Sequence, residues 1–360
     1  MSYKVLGVLF QIVSHSGERA RRTVPWQMTM PLLRDAPIEA VMATILFTAF
    51  GVLVGLHAAQ TPAVERAKQS SLMPVQLPDP ATEPSRYCYE LFSWYYSVFW
   101  IGIFGSIVVS QCYESFTAFS YLYVCGGLAL PLVVQPLLYP QACPVSMNGN
   151  AIVNPDTRRP FVKRYSTKAV LYLMTYSFIG NYWYTHYFYS VLNARYSMPA
   201  HRLNDVPIAM FLATHFYFTT YHASISNGIL RFVERRYANG WRKQVLFWYT
   251  VLFLSYFTAF METLTISSFP YYSFDDRTVA YIWGSAFYGI YFIVSFPGFY
   301  HFDSCVDVVE QNQSARARVT LIDTFTTACG HGMMILTMLD FVRLHLGIPL
   351  TIGGVAFEQT

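Results

Sequence analysis

Runs of about 20 apolar residues, the length a helix needs to cross a bilayer, recur along this chain between short polar segments. They fall at residues 40–59, 91–110, 117–140, 169–192, 203–227, 245–267, 279–299 and 321–346. This spacing predicts an all-α fold, a polytopic transmembrane helical bundle of about eight spans, or seven if the first is peripheral. Residues 1–90 read as an N-terminal tail with a possible extra span and a polar, proline-rich loop, and 91–360 as the transmembrane domain. A cleavable signal is not expected, because the first long apolar run begins late, near Ala40.

The run from Leu203 to Asn227 (LNDVPIAMFLATHFYFTTYHASISN) organises the rest. Pro207 suits a first helical turn, and Asn204 and Asp205 just before it are natural N-cap residues. From Ile208 to Ala223 there is no Lys, Arg, Asp or Glu, yet His215 and His222 lie inside. Their spacing is two helical turns, which places them on one face about 10 Å apart along the axis.

Composition sharpens the picture. The chain of 360 residues is 54% hydrophobic and 18% aromatic, with 12% charged residues, against about 25% in soluble domains. A net charge of +4 without a dense basic tract excludes nucleic acid as a partner. The six cysteines are scattered with no CxxC pair, so they read as reduced and structural. No HxxxH or HExxH appears, His215 and His222 are too far apart to chelate alone, and neither metal nor cofactor is expected. Most of the 24 lysines and arginines lie in the loops after the first, third, fifth and seventh spans, which assigns those loops to the cytoplasm. The N-terminal tail, with Arg19, Arg21 and Arg22, opposes that assignment.

Four ionisable residues stand out at membrane depth: His186, His215, His222 and Glu262. An imidazole or carboxyl there is costly unless it faces a partner or a polar cavity. Asn181 and Thr185 lie four apart in the helix of His186, and Tyr182 and Tyr189 are expected on the histidine's own face. In apolar surroundings the neutral forms are favoured, so Glu262 is expected to hold a transferable proton and a histidine to accept one. The competing readings are interhelical glue for each histidine and an ion pair with Arg277 for Glu262.

At these residues the sequence resembles the cycloeucalenol cycloisomerase family, the cyclopropyl sterol isomerases. The matching stretches are GNYWYTHYF (Gly180–Phe188), LNDVP with ATHFYF and YHASISN (Leu203–Asn227), LSYFTAFMET with FPYY (Leu254–Tyr272) and FYGIYFIVSFP (Phe287–Pro297). Asp205 and Asp275 depart from the pattern, which has asparagine and an apolar residue there. The resemblance covers roughly residues 90–346. It implies a multi-pass protein of the endoplasmic reticulum membrane, with a sterol substrate, lipid surroundings and no cofactor. The implied reaction opens the 9β,19-cyclopropane ring of a 4-methyl sterol in sterol biosynthesis, by protonation and loss of the C8 proton. Glu262 is the expected donor, with one of His186, His215 or His222 as acceptor. Asn181, Tyr182, Trp183, Tyr221 and Asn227 are expected around the substrate. A non-enzymatic sterol-binding or transport protein is the alternative.

One sequon, Asn312-Gln313-Ser314, lies after the seventh span, in a loop assigned to the cytoplasm. Expressed in a eukaryotic host, the protein should carry no glycan there. A gel mobility shift reversed by endoglycosidase would invert the assigned orientation.

Overall fold

The computed structural model describes residues 37–63, 76–140, 146–147, 150–151, 153–266, 269–306, 319–352 and 355–357. The sequon lies outside them. The chain divides into two compact units, Met1–Val41 and Met42–Thr360.

The second unit, which begins within the first helix, is all-α. We number the long helical runs α1 (Ile38–Ala58), α2 (Pro84–Val109), α3 (Ala118–Leu138), α4 (165–191), α5 (208–236), α6 (Trp241–Ile266), α7 (Arg277–Val306) and α8 (Leu321–His345). Six of them, all but α4 and α5, are long and apolar enough to cross a membrane as single helices. Local sequence sets their starts. Pro84 occupies the first turn of α2, where its missing N–H costs nothing. Reciprocal capping boxes open α3 (Thr117 with Ser120) and α8 (Thr320 with Asp323).

Asn204 and Asp205 do not cap α5. Both adopt left-handed φ, 52° and 61°, as the two-residue turn of a hairpin pairing Arg202–Leu203 with Val206–Pro207. Asn and Asp tolerate that conformation, which such tight hairpins require. The helix instead starts after Pro207, without a side-chain cap.

Three helices contain a π-helical stretch: Gly180–Tyr184 in α4, Thr220–Ser226 in α5 and Ala280–Gly284 in α7. Side chains in and beside these stretches also bond backbone carbonyls one turn back. Thr219, Thr220 and His222 bond the carbonyls of His215, Phe216 and Phe218 at 2.7, 2.9 and 2.8 Å. Asn181 Nδ2 likewise donates to the Ser177 carbonyl at 2.9 Å.

The helices pack α6 against α7, α3 against α5 and α4 against α8. The α7–α8 approach is close. A Cβ on Gly298 would meet the His331 ring at 2.6 Å, and that ring is held by the Tyr172 hydroxyl of α4 at 2.5 Å. Between α2 and α5, Thr220 Oγ1 bonds Ser97 Oγ (2.7 Å) and accepts from Trp100 Nε1 (3.0 Å).

One end of the bundle is closed by a buried ionic cluster. Arg231 of α5 donates to both oxygens of Glu90 on α2, at 2.8 and 2.5 Å. Arg86, one turn earlier on α2, pairs with Asp303 of α7 and lies 3.4 Å from Glu90. Asp303 also accepts from Tyr165 of α4 and, at 2.9 Å, from Asn227 of α5. Glu90, Asn227 and Asp303 are wholly buried. A charge left alone in such a place costs about 3–5 kcal/mol. Arg231→Met should therefore lower unfolding stability by about that amount, while Arg231→Met with Glu90→Leu should recover most of the loss. Thermal unfolding in detergent measures both, and a single variant as stable as the parent would contradict the cluster's role.

Candidate active site

At the opposite end of the bundle the last turns of α6 meet the first turns of α7. The antiparallel pairing of Tyr196 with Tyr272 and Arg195 with Ser273 ties the adjoining loops together. Beneath it lies a cavity of about 90 Å³ whose polar lining includes Glu262, Thr263, Asn181, Thr185 and Thr214. Asn181 is fixed in the wall by its bonds to the Ser177 carbonyl and the Thr214 hydroxyl.

Glu262 faces this cavity. Its carboxyl lies beside the Tyr288 hydroxyl, while Oε2 is enclosed and has no hydrogen-bond partner. No ion pair with Arg277 forms among the described residues. Tyr196, Tyr272, Tyr288 and Tyr291 line the same space, and Tyr217 and Tyr221 stand within electrostatic reach of the carboxyl. A carboxyl ringed by aromatic faces can give up a proton and steady the positive charge that results, because the rings attract cations.

The three histidines do not join Glu262 in this cavity. His222 is wholly buried, and both its nitrogens are engaged. Because a carbonyl only accepts, Nδ1 donates to Phe218, which leaves Nε2 to accept from Ser295 Oγ of α7 at 2.8 Å. It bridges a π turn and a neighbouring helix, packed on the rings of Tyr176 and Phe296. His215 is buried and neither ring nitrogen is bonded. The π stretch beginning at Thr220 lies between these two residues, so a spacing of two regular turns no longer describes their relation. His186 faces a second cavity, of about 450 Å³, with Tyr189, Arg202 and Asp205.

The other expected residues divide similarly. Tyr221 lies within reach of Glu262. Tyr182 stacks on Phe178 at 5.5 Å and Trp183 is 42% exposed, because the π stretch of α4 turns them off the face of His186. Asn227 belongs to the ionic cluster at the far end. Pattern reading missed Tyr196, Tyr272, Tyr288 and Tyr291. The three-residue step from Tyr288 to Tyr291 on one helix face was the available signal, submerged in a chain of 28 tyrosines.

No protein-family model matches the chain, and no solved structure matches it. Cycloeucalenol cycloisomerase of Arabidopsis thaliana is 36% identical over 280 residues, which is 76% of this chain and 91% of that protein. The resemblance read from the motifs of α4 to α7 thus extends over most of the sequence, and the chain belongs to the cycloeucalenol cycloisomerase family.

Proposed function

We propose that this chain opens the 9β,19-cyclopropane ring of a 4-methyl cyclosterol, with Glu262 as the proton donor. One observation carries the reading: a carboxyl with one oxygen enclosed and unbonded, beside the Tyr288 hydroxyl and among tyrosine rings, at the end of an apolar bundle. Glu262 gives its proton to C19 as the C9–C19 bond breaks, and C19 becomes a methyl group on C10. Positive charge develops at C9, where the rings of the site lower its energy. The C8–H bond then breaks, and its electron pair forms the C8=C9 double bond.

The carboxylate left on Glu262 is the acceptor for that second proton, since no histidine lines its cavity. The acid is restored, and nothing is consumed. Exclusion of water protects the cation from capture. A four-ring nucleus needs far more room than about 90 Å³, given that ligand pockets commonly hold about 300–1,000 Å³, so the walls part as the sterol enters. A sterol that partitions into lipid also favours a membrane setting, in which α4 and α5 cross with the other six helices to give eight spans.

Glu262→Gln keeps the shape but loses the transferable proton, so turnover should fall roughly 10²–10⁴-fold while sterol still binds. Near-normal turnover in folded protein would remove Glu262 from the mechanism. Comparable collapse on replacing one histidine by alanine would make that histidine the acceptor.

In deuterated water a 9β,19-cyclosterol should yield a Δ8 product carrying deuterium in its C19 methyl group. A sterol carrier would return the cyclosterol unchanged. Product without deuterium would mean that the donor does not exchange with solvent.

A further inference from the structure

The cavity beside His186 has no part in the proton transfers described above, yet it holds two buried polar groups without partners. His186 is 1% exposed, and neither ring nitrogen makes a hydrogen bond of ordinary geometry, with the Asn204 backbone and Asp205 nearby. The Tyr189 hydroxyl is also enclosed and unbonded. The two rings meet edge to face, 5.6 Å apart and 89° inclined, and both residues border the cavity. Buried polar groups left unmatched are costly. A ligand hydroxyl, which both donates and accepts, satisfies an imidazole nitrogen and a phenol together.

The charged groups at the rim are engaged within the wall, whereas the unmatched groups are neutral. Arg202 is spent on the carbonyls of Asp205 (2.9 Å) and Tyr196 (2.6 Å). Arg195 holds Asn193 Oδ1 at 3.2 and 3.0 Å. Both arginines are held by neutral acceptors of the wall, and Asp205 offsets part of their charge. The cavity suits a neutral hydroxyl.

Tyr196 joins this cavity to the site of chemistry. It lines both spaces and lies within electrostatic reach of Tyr189 and of Glu262. A cyclosterol carries its hydroxyl at C3, across one six-membered ring from the cyclopropane. With the cyclopropane at Glu262, the hydroxyl then falls one ring-width away, and the polar space beside Tyr196 is the place that can receive it. The apolar tail points elsewhere, since a polar cavity gives it nothing.

Resting on the isomerase reading, we propose that His186 and Tyr189 bind the 3-hydroxyl of the sterol, His186 accepting from it and Tyr189 donating to it. The pair sets the register of the ring system against Glu262 and selects free sterols over 3-deoxy or 3-O-alkyl forms.

The test compares kcat/KM for a 3-hydroxy 9β,19-cyclosterol with that for its 3-deoxy analogue. The parent should prefer the hydroxyl by roughly 10- to 100-fold, the effect of two buried hydrogen bonds. Tyr189→Phe removes one oxygen and should cut the preference several-fold, and His186→Phe should cut it at least as much, mainly through loss on the 3-hydroxy substrate. Equal losses on both substrates, or an undiminished preference, would overturn the assignment. If His186→Phe does not fold, Tyr189→Phe decides alone. Should the parent turn over neither sterol, the isomerase reading fails. The ratio of equilibrium affinities for the two sterols, in parent and variants, then decides the hydroxyl site by itself.

Discussion

Arg231 grips Glu90 with two parallel hydrogen bonds inside the bundle, and the relative heights of four helices follow from that grip. Charges in apolar surroundings are tolerable only when paired, so a slide of α5 along α2 by one turn, about 5.4 Å, would strand both partners at once. Arg86, Asp303, Tyr165 and Asn227 extend the same constraint to α4 and α7. The start of α6 joins through Lys243, which bonds Glu234 and Asn239 near the end of α5. With one end of every wall helix pinned, the height of Glu262 against α4, α5 and α7 at the other end is determined.

That other end is built differently. Instead of full charges it uses hydroxyls, amides and aromatic faces, which cost less to bury and can be left facing a space. The polar residues of α4 and α5 serve the backbone first. In apolar surroundings an unmatched hydroxyl, imidazole or amide is costly, so Thr219, Thr220, His222 and Asn181 bond backbone carbonyls one turn back. Residues that look chemical in the sequence are partly structural for this reason.

Much of the bundle was legible because lipid demands long apolar runs, and each of the eight runs matches a helix. The starts were less so. Arg86 and Glu90 fell in a segment read as a polar loop, although their i, i+4 spacing marks a helix. Glu262 could be singled out because a lone acid in an apolar run is costly, and its alternative partner, Arg277, forms no ion pair with it among the described residues. The histidines misled on geometry, since counting by regular turns ignores the extra residue that a π stretch inserts between His215 and His222. Tyr288 and Tyr291 stayed hidden in the abundance of their own kind. Asn227, read among the substrate contacts, turned out to brace Asp303 at the far end.

The π stretches of α4, α5 and α7 each carry one residue more than a regular helix would need for its length. A surplus residue can migrate along a helix by exchanging a few adjacent hydrogen bonds, and each step rotates the side chains it passes by about 100° without unwinding the rest. Three helices that wall one cavity share this slack. The shape of that cavity is therefore set by how the backbone bonds of these stretches are placed as well as by the side chains that line it.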